Sequence, residues 1–329
     1  MPLLEIDRLG VRFPGPNGPV CALTDLDLAL DAGEVVGMAG ESGSGKSTAA
    51  IAAMGLLPST ARVTGSIRYR GEELLGRSSR QMREIRGREI AMVFQETVTA
   101  LNPVVRVGDQ LVRATRAHAP LTRAAALERV NDALRRVRLT DTARVLASYP
   151  SQLSGGMCQR VLIAMAICCG SRILLADEPT TALDVSVQRD ILTLLERLAG
   201  DGLAVLLISH DLAVLNQIAD RLVVLYAGQV VEQGPVGAMV RAPAHPYTSA
   251  LLDCVPRLRH PRPSFVEIPD GAIDLSGEDA GCAFRSRCRY RVGACEQRPA
   301  LTALGARQVR CWRPGVAEAG LRSAPGRPD

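Results

Sequence analysis

Lysine occurs once in this chain, at position 46, although lysine and arginine together number 39. Every other basic position is arginine, so position 46 is a place where a guanidinium fails. Its surroundings explain why. Gly40, Glu41, Ser42, Gly43, Ser44, Gly45, Lys46, Ser47 and Thr48 follow an apolar run at 35–39 and open a stretch with helical spacing at 47–57. Glycines at this spacing let backbone N–H groups curl around phosphate oxygens, and the helix N-terminus adds partial positive charge. A compact ammonium reaches the β- and γ-phosphates inside such a cradle, where a planar guanidinium is too bulky. The following hydroxyl, Ser47, is the expected Mg²⁺ ligand. The strand–loop–helix context distinguishes this nucleotide loop from a bare glycine-rich turn.

A second set of residues could meet that loop. The run Ile173, Leu174, Leu175, Ala176 ends in Asp177 and Glu178. In a parallel sheet, ligands sit at the carboxyl ends of strands, which brings Asp177 to Mg²⁺ and Glu178 to an attacking water as general base. A third apolar run, 204–208, closes on Ser209, His210 and Asp211, so His210 lies in reach of a γ-phosphate. Gln95, after the run at 90–94, could sense Mg²⁺ and the water, although alone it reads as an exposed polar residue. Ser154, Gly155 and Gly156 form a second anion-binding turn ahead of a helix expected to start near Gln159. One phosphate loop and one such second turn per chain suggest a head-to-tail pair, each nucleotide clamped between two chains.

The elements that must position these residues follow from periodicity. Short apolar runs alternating with helical stretches predict a mostly parallel α/β sheet. From Pro103 to Pro150 strand signals vanish, which predicts an inserted helical part spanning about 96–160. There Thr122 is the expected N-cap, and Leu127, Val130, Leu134 and Val137 the buried face of one helix. Between the later strands, Ile191, Leu192, Leu195 and Leu198 line another helix. After Gly234, seven prolines through Pro269 break the periodicity and four cysteines cluster beyond them. This divides the chain into 1–234, an extension over 235–313, and a tail over 314–329 whose composition predicts disorder.

Here the chain resembles the ATP-binding subunits of ABC transporters. The motifs run in that family's order: Walker A at 40–47, the Q-loop at Gln95, the signature at 153–159, Walker B at 173–177 with Glu178, the D-loop Ala182-Leu183-Asp184 and the switch His210. The resemblance covers residues 3–234. It implies an ABC ATPase fold with an antiparallel β part, Phe13 stacking on adenine, and Asp184 near the nucleotide; a core role for Phe13 is the alternative. Thr99-Ala100-Leu101-Asn102-Pro103, residues 177–185 and His245-Pro246-Tyr247-Thr248 look like the oligopeptide/dipeptide importer branch, which includes nickel and glutathione systems. Members commonly carry Arg where this chain has Cys158, and Asp-Pro where it has Glu96-Thr97. The resemblance implies ATP-powered import of peptides or a related small solute at the cytoplasmic face of a membrane. Its partners would be two permease subunits, a second homologous ATPase subunit and, indirectly, an extracytoplasmic solute-binding protein. The rival is a soluble ABC-type ATPase of a phosphonate-degrading or nucleic-acid-associated complex.

Composition bounds these readings. The chain has 329 residues, 47% hydrophobic and 22% charged, enough for about two structural units with a sizeable core. Its net charge of +5 is too small to argue for nucleic acid. No apolar run reaches the ~18 residues of a membrane span, and residues 1–7 lack the pattern of a signal peptide. Nine cysteines with no export signal fit a reducing compartment. Cys168 and Cys169 read as core residues, and Cys158 as either an activated thiol at a helix start or a buried inert one. Cys282, Cys288, Cys295 and Cys311 could form a Cys₄ site, structural in role, for zinc or an iron–sulfur cluster. The spacing C-x₅-C-x₆-C-x₁₅-C lacks the C-x₂-C pairs usual for zinc and favours 4Fe–4S. A similar four-cysteine pattern in the importer branch carries such a cluster. Four unligated thiols are the alternative.

Overall fold

The computed structural model describes residues 1–16, 18–94, 100–181, 183–254 and 281–316. Two sheets carry the fold. The first is antiparallel, with order β2-β1-β4-β5 from β1 (Leu4–Phe13), β2 (Val20–Leu30), β4 (Arg62–Tyr69) and β5 (Glu72–Glu73). Burial alternates along β1 and β2 because one face covers a core and the other meets water.

The second sheet has eight strands in the order β11-β12-β10-β9-β3-β8-β7-β6. Five of them are parallel: β9 (Arg221–Tyr226), β3 (Val35–Ala39), β8 (Ala204–Ile208), β7 (Ile173–Asp177) and β6 (Ile90–Val93). Strands β3, β7 and β8 are buried at every residue, as their continuous apolar sequences require of strands covered on both faces. Leu174 and Ala176 face one core, and Ile173 and Leu175 the other. The first core is roofed mainly by helices, the second by the antiparallel sheet and α1 (Lys46–Ala53).

The helices are α1, α2 (Ser79–Ile85), α3 (Val107–His118), α4 (Arg123–Arg136), α5 (Thr142–Ala147), α6 (Gly155–Cys169), α7 (Val185–Gly200), α8 (Leu212–Ile218), α9 (Val236–Arg241) and α10 (Pro246–Asp253). Between β6 and β7 the described chain forms α3 to α6 and a 3₁₀ turn at Pro150–Gln152, with no strand. Thr122 caps α4 by accepting from the Ala125 amide at 3.2 Å. The buried face of α4 differs from the expected one by a residue. Ala126 lies inside with Val130, Ala133 and Leu134, whereas Leu127 is 39% exposed. A small residue at 126 carries the i, i+4, i+8 row, which a scan for large apolar side chains overlooks. Helix α6 begins at Gly155, four residues before the expected start at Gln159.

The chain beyond Gly234 is woven into the main sheet. Strand β10 (Gln229–Pro235) runs across the 234/235 boundary and pairs with β12 (Arg307–Val309), which forms a hairpin with β11 (Thr302–Leu304). Gly315 donates its amide to Ala244 O at 2.8 Å, so residues 314–316 of the expected tail are structured, while 317–329 lie outside the described residues.

A buried polar knot fastens this edge. Glu232, fully buried, accepts amide hydrogens from Ala244 (3.0 Å) and His245 (2.9 Å), and Arg307 approaches it at 3.4 Å. His245 caps α10, its Nδ1 accepting from the Tyr247 amide at 3.0 Å, so that nitrogen carries no proton. Burial holds the imidazole down at about 3, against an ordinary 6.5. The unfolded chain therefore binds a proton on this residue below pH 6.5 while the native chain refuses it until about pH 3, so its contribution falls as pH falls through that window. Burial pushes Glu232 up and acts in the opposite sense, so the difference between variants is the informative quantity. His245→Asn keeps a cap acceptor and removes the titration; between pH 7 and 5 wild type is expected to lose about 2 kcal/mol more than the variant in denaturant unfolding.

Candidate nucleotide site

The functional side chains lie where β3, β7 and β8 end together. In the ladder Met38 pairs with Ile208, and Ile208 with Asp177. The Ser209 amide donates to Met38 O at 3.1 Å and the Glu178 amide to Ile208 O at 3.0 Å. The strands thus stay joined one residue past their ends, which sets the phosphate loop, Asp177, Glu178 and His210 on one rim.

The loop from Gly40 to Lys46 wraps its own cation. Lys46 Nζ donates to Gly40 O and Glu41 O, both at 2.8 Å, and lies 3.4 Å from Ser44 Oγ. Its side chain is nearly buried. Burial pulls the ammonium below its usual range, while Glu178, Asp177 and Glu41 pull it back up. Gly45, with φ of +104°, has no room for a side chain: an added Cβ would stand 2.4 Å from Ala22 O. Gly45 also begins α1, whose first turn has no side-chain cap and no acidic residue. That end can therefore receive an anion. Ser42, Gly43 and Ser47 are exposed, Ser44 is buried, and Thr48 is half-buried in the first turn of α1.

The Ser47 hydroxyl lies near enough to the Asp177 carboxyl to favour its charged form, which puts two oxygen ligands together beside Lys46. Burial pushes the Asp177 carboxyl up, with the Ser47 hydroxyl opposing it and the neighbouring Glu178 reinforcing it. This pair fits a hard divalent cation such as Mg²⁺. Glu178 adopts the left-handed backbone at φ +47°, rare for a residue with a side chain. Its two oxygens are both held: Oε1 meets His210 Nδ1 at 2.9 Å and Oε2 accepts from Thr181 Oγ1 at 2.8 Å. Burial pushes this carboxyl up, but the bonds from His210 and Thr181 bring it below the ordinary glutamate range. Glu178 is therefore an oriented carboxylate, and His210 Nδ1 is the donor between them. The imidazole itself is 60% exposed.

Phe13 closes β1 opposite Val20, half-buried against the second core. Ser154 caps α6, accepting from the Met157 amide at 3.3 Å, with Gly155 exposed beside it. Gly156 is buried, and an added Cβ would press to 2.5 Å of Val187 Cγ1 in α7. Its glycine thus serves packing, a reason the motif alone does not supply. Asp184 stands exposed at the start of α7. Gln95 and Ala182 lie outside the described residues. Cys158 is buried and pushed up by that burial, so it is the inert thiol of the two readings, and Cys168 and Cys169 are core residues.

The four C-terminal cysteines line one cavity with His245, Phe284, Tyr290 and Trp312. Among the described residues, no three His, Cys, Asp or Glu side chains converge closely enough to hold a metal ion. Burial pushes Cys282, Cys288 and Cys311 up, the last to about 11, and the Arg313 amide donates to Cys311 Sγ at 3.3 Å.

Two residues reach the site without a part in it that the motifs assign, although Tyr247 stands in the quoted His245-Pro246-Tyr247-Thr248. Arg287 forks onto the Glu41 carboxylate (Nη1–Oε2 2.8 Å, Nη2–Oε1 3.1 Å), and the Tyr247 hydroxyl accepts the Glu41 amide at 2.9 Å. Nothing in the local sequence around 247 or 287 announces either contact.

Known proteins give the same picture. The family model "ABC transporter" matches residues 23–181, and "Oligopeptide/dipeptide transporter, C-terminal region" matches 231–295. The probable D,D-dipeptide transport ATP-binding protein DdpD of Escherichia coli is 46% identical over 95% of this chain and 97% of its own. The oligopeptide transport ATP-binding protein OppD of Salmonella typhimurium is 41% identical over 95% and 94%. Among solved structures, the dimeric bacterial ABC transporter cassette MJ0796 superposes with a TM-score of 0.63 at 27% identity, over 71% of this chain and 98% of that one. The chain belongs to the ATP-binding proteins of ABC transporters, in the group that carries the oligopeptide/dipeptide C-terminal region.

Proposed function

We propose that this chain hydrolyses ATP to drive import of peptides or a related small solute, working on the cytoplasmic face of a membrane. The observation that carries the reading is the rim itself: an oriented carboxylate, a hydroxyl–carboxylate pair and a buried ammonium in a phosphate loop, all at the ends of three adjacent strands. Lys46 and the loop amides bind the β- and γ-phosphates, Phe13 stacks on adenine, and Ser47 and Asp177, with Gln95, hold Mg²⁺. Bound there, Mg²⁺ would neutralise phosphate charge. Glu178 accepts a proton from the attacking water, and His210 fixes Glu178 while facing the γ-phosphate. Water adds to the γ-phosphorus, the bond to ADP breaks, and phosphate leaves. Ser154, Gly155, Gly156 and Asp184 serve the nucleotide of a second ATPase subunit in a head-to-tail pair, a reading that the dimeric MJ0796 cassette supports.

No helix among the described residues is long and apolar enough to cross a membrane, so this function needs permease subunits as partners. An extracytoplasmic binding protein would deliver the solute to them. The names of DdpD and OppD, both peptide-transport ATP-binding proteins, support peptides as the solute class. In the complex reconstituted with its permeases, ATPase rate is expected to rise on adding loaded binding protein, and Glu178→Gln to lower it at least ~100-fold with nucleotide still bound. A high rate indifferent to membrane partners would instead favour a soluble ATPase.

Lys46→Arg keeps the charge but overfills the loop. A fluorescent ATP analogue is expected to bind at least ~30-fold more weakly, with the melting temperature little changed.

The finer proposal concerns the cysteines. Their shared cavity and the amide that Arg313 donates to Cys311 Sγ support a 4Fe–4S cluster, with zinc as the alternative, held after the thiols draw closer than they stand. A cluster there would contribute folding free energy to the segment. Chain purified without air is expected to carry about four irons and four sulfides, and metal-free chain with four titratable thiols at these positions would refute the site.

A further inference from the structure

Glu41 is an odd residue to find in a phosphate loop. It places a carboxylate among the groups that act on Lys46, at a site that must accept a polyanion. Left alone, that carboxylate would repel the triphosphate. It is not alone. Arg287, from the far end of the chain, grips both oxygens in a fork, and its side chain is only 8% exposed, against 28% for Glu41. Planar bidentate pairs of this kind are shorter and stronger than single ion pairs, and guanidinium is suited to them in a way ammonium is not.

The grip continues through the backbone. The Glu41 amide donates to Tyr247 Oη, and Glu41 O accepts from Lys46 Nζ. Side chain, amide and carbonyl of this one loop residue are thus all held, two of them by residues beyond position 240. The anchors are themselves braced. Tyr226, Tyr247 and Phe284 pack edge-on or tilted with ring centroids 4.7 to 5.4 Å apart, and Arg287 lies 5.7 Å from the Tyr226 ring centroid.

We propose that Arg287 is a positioning residue for nucleotide: it neutralises Glu41 and holds the start of the phosphate loop, so that the C-terminal segment 281–316 completes the ATP site. This rests on the ATP reading above and deepens it. Arg287 touches no phosphate; it acts through Glu41. Its loss therefore weakens ATP binding, by charge as well as by geometry, and leaves the chemical step to Glu178 and His210.

The test compares variants of the full chain, titrated with a fluorescent ATP analogue and assayed for hydrolysis. Arg287→Met is expected to weaken binding and raise KM for ATP about tenfold, with kcat at saturating ATP within about twofold of wild type. Glu41→Gln is measured alone as the reference, and Glu41→Gln/Arg287→Met should recover most of the affinity that Arg287→Met loses, because the stranded carboxylate is gone. Arg287→Lys should fall between Arg287→Met and wild type. A purely structural role predicts the opposite of recovery: the double variant would bind no better than Arg287→Met. That result, or wild-type affinity in a folded Arg287→Met, overturns the proposal. If wild type binds no nucleotide, the ATP reading itself falls and takes this one with it; if wild type binds and Lys46→Ala does not, the reading stands and Arg287 is judged on its own.

Discussion

The site depends on one unfavourable placement, an ammonium buried inside a loop of backbone. Desolvating Lys46 costs free energy unless acceptors surround it, and the loop supplies them by turning Gly40 O and Glu41 O inward. The curl needs backbone that glycine adopts easily: Gly40 stands at φ +150° and Gly45 at φ +104°, each with a backbone carbonyl 2.4 Å from where a Cβ would sit. The same curl opens α1 with no side-chain cap of its own. Cation, glycines and receptive helix end are therefore one solution to one constraint. Arginine, with five donors on a rigid plane, would need a different loop.

Around that loop, the parallel sheet acts as a ruler. Because Ser209 and Glu178 remain hydrogen-bonded to neighbouring strands past the ends of β8 and β7, their successors leave the sheet from fixed positions. The contact between Glu178 and His210, 32 residues apart in sequence, follows from that register. The left-handed backbone at Glu178 costs on the order of 1 kcal/mol, and it persists because the ladder bond at its amide and two bonds at its carboxylate over-determine it.

Much of this is legible in the sequence. The strand runs at 35–39, 173–176 and 204–208 fall where the sheet has them, and Lys46, Asp177, Glu178 and His210 meet on one rim as their positions at strand ends imply. Such features are local: an apolar run long enough for a buried strand, followed by residues whose chemistry needs its carboxyl end. What sequence could not show is non-local. The inward turn of Ala126 in place of Leu127 depends on which helix faces which, and the start of α6 at Gly155 depends on Ser154 serving as cap rather than as loop. The cysteine spacing predicted a ligand set, but four thiols lining a cavity are not four thiols converged on an ion.

The largest illegible feature is the attachment of the C-terminal segment. Proline-rich sequence after Gly234 reads as a break, yet β12 pairs with β10, β10 with β9, and β9 with β3, the strand that delivers the phosphate loop. Arg310 adds a bond from its side chain to Val230 O, and its amide donates to Val231 O. The segment is thus tied to the nucleotide loop both through the sheet and through the Arg287–Glu41 pair. A single tether would let the cysteine-bearing segment pivot; two, anchored at 287 and at 307–309, define its placement against β3. A disturbance at the cysteine cavity then has a short mechanical path to ATP, since Phe284, in the wall of that cavity, packs on Tyr247, whose hydroxyl holds the Glu41 amide.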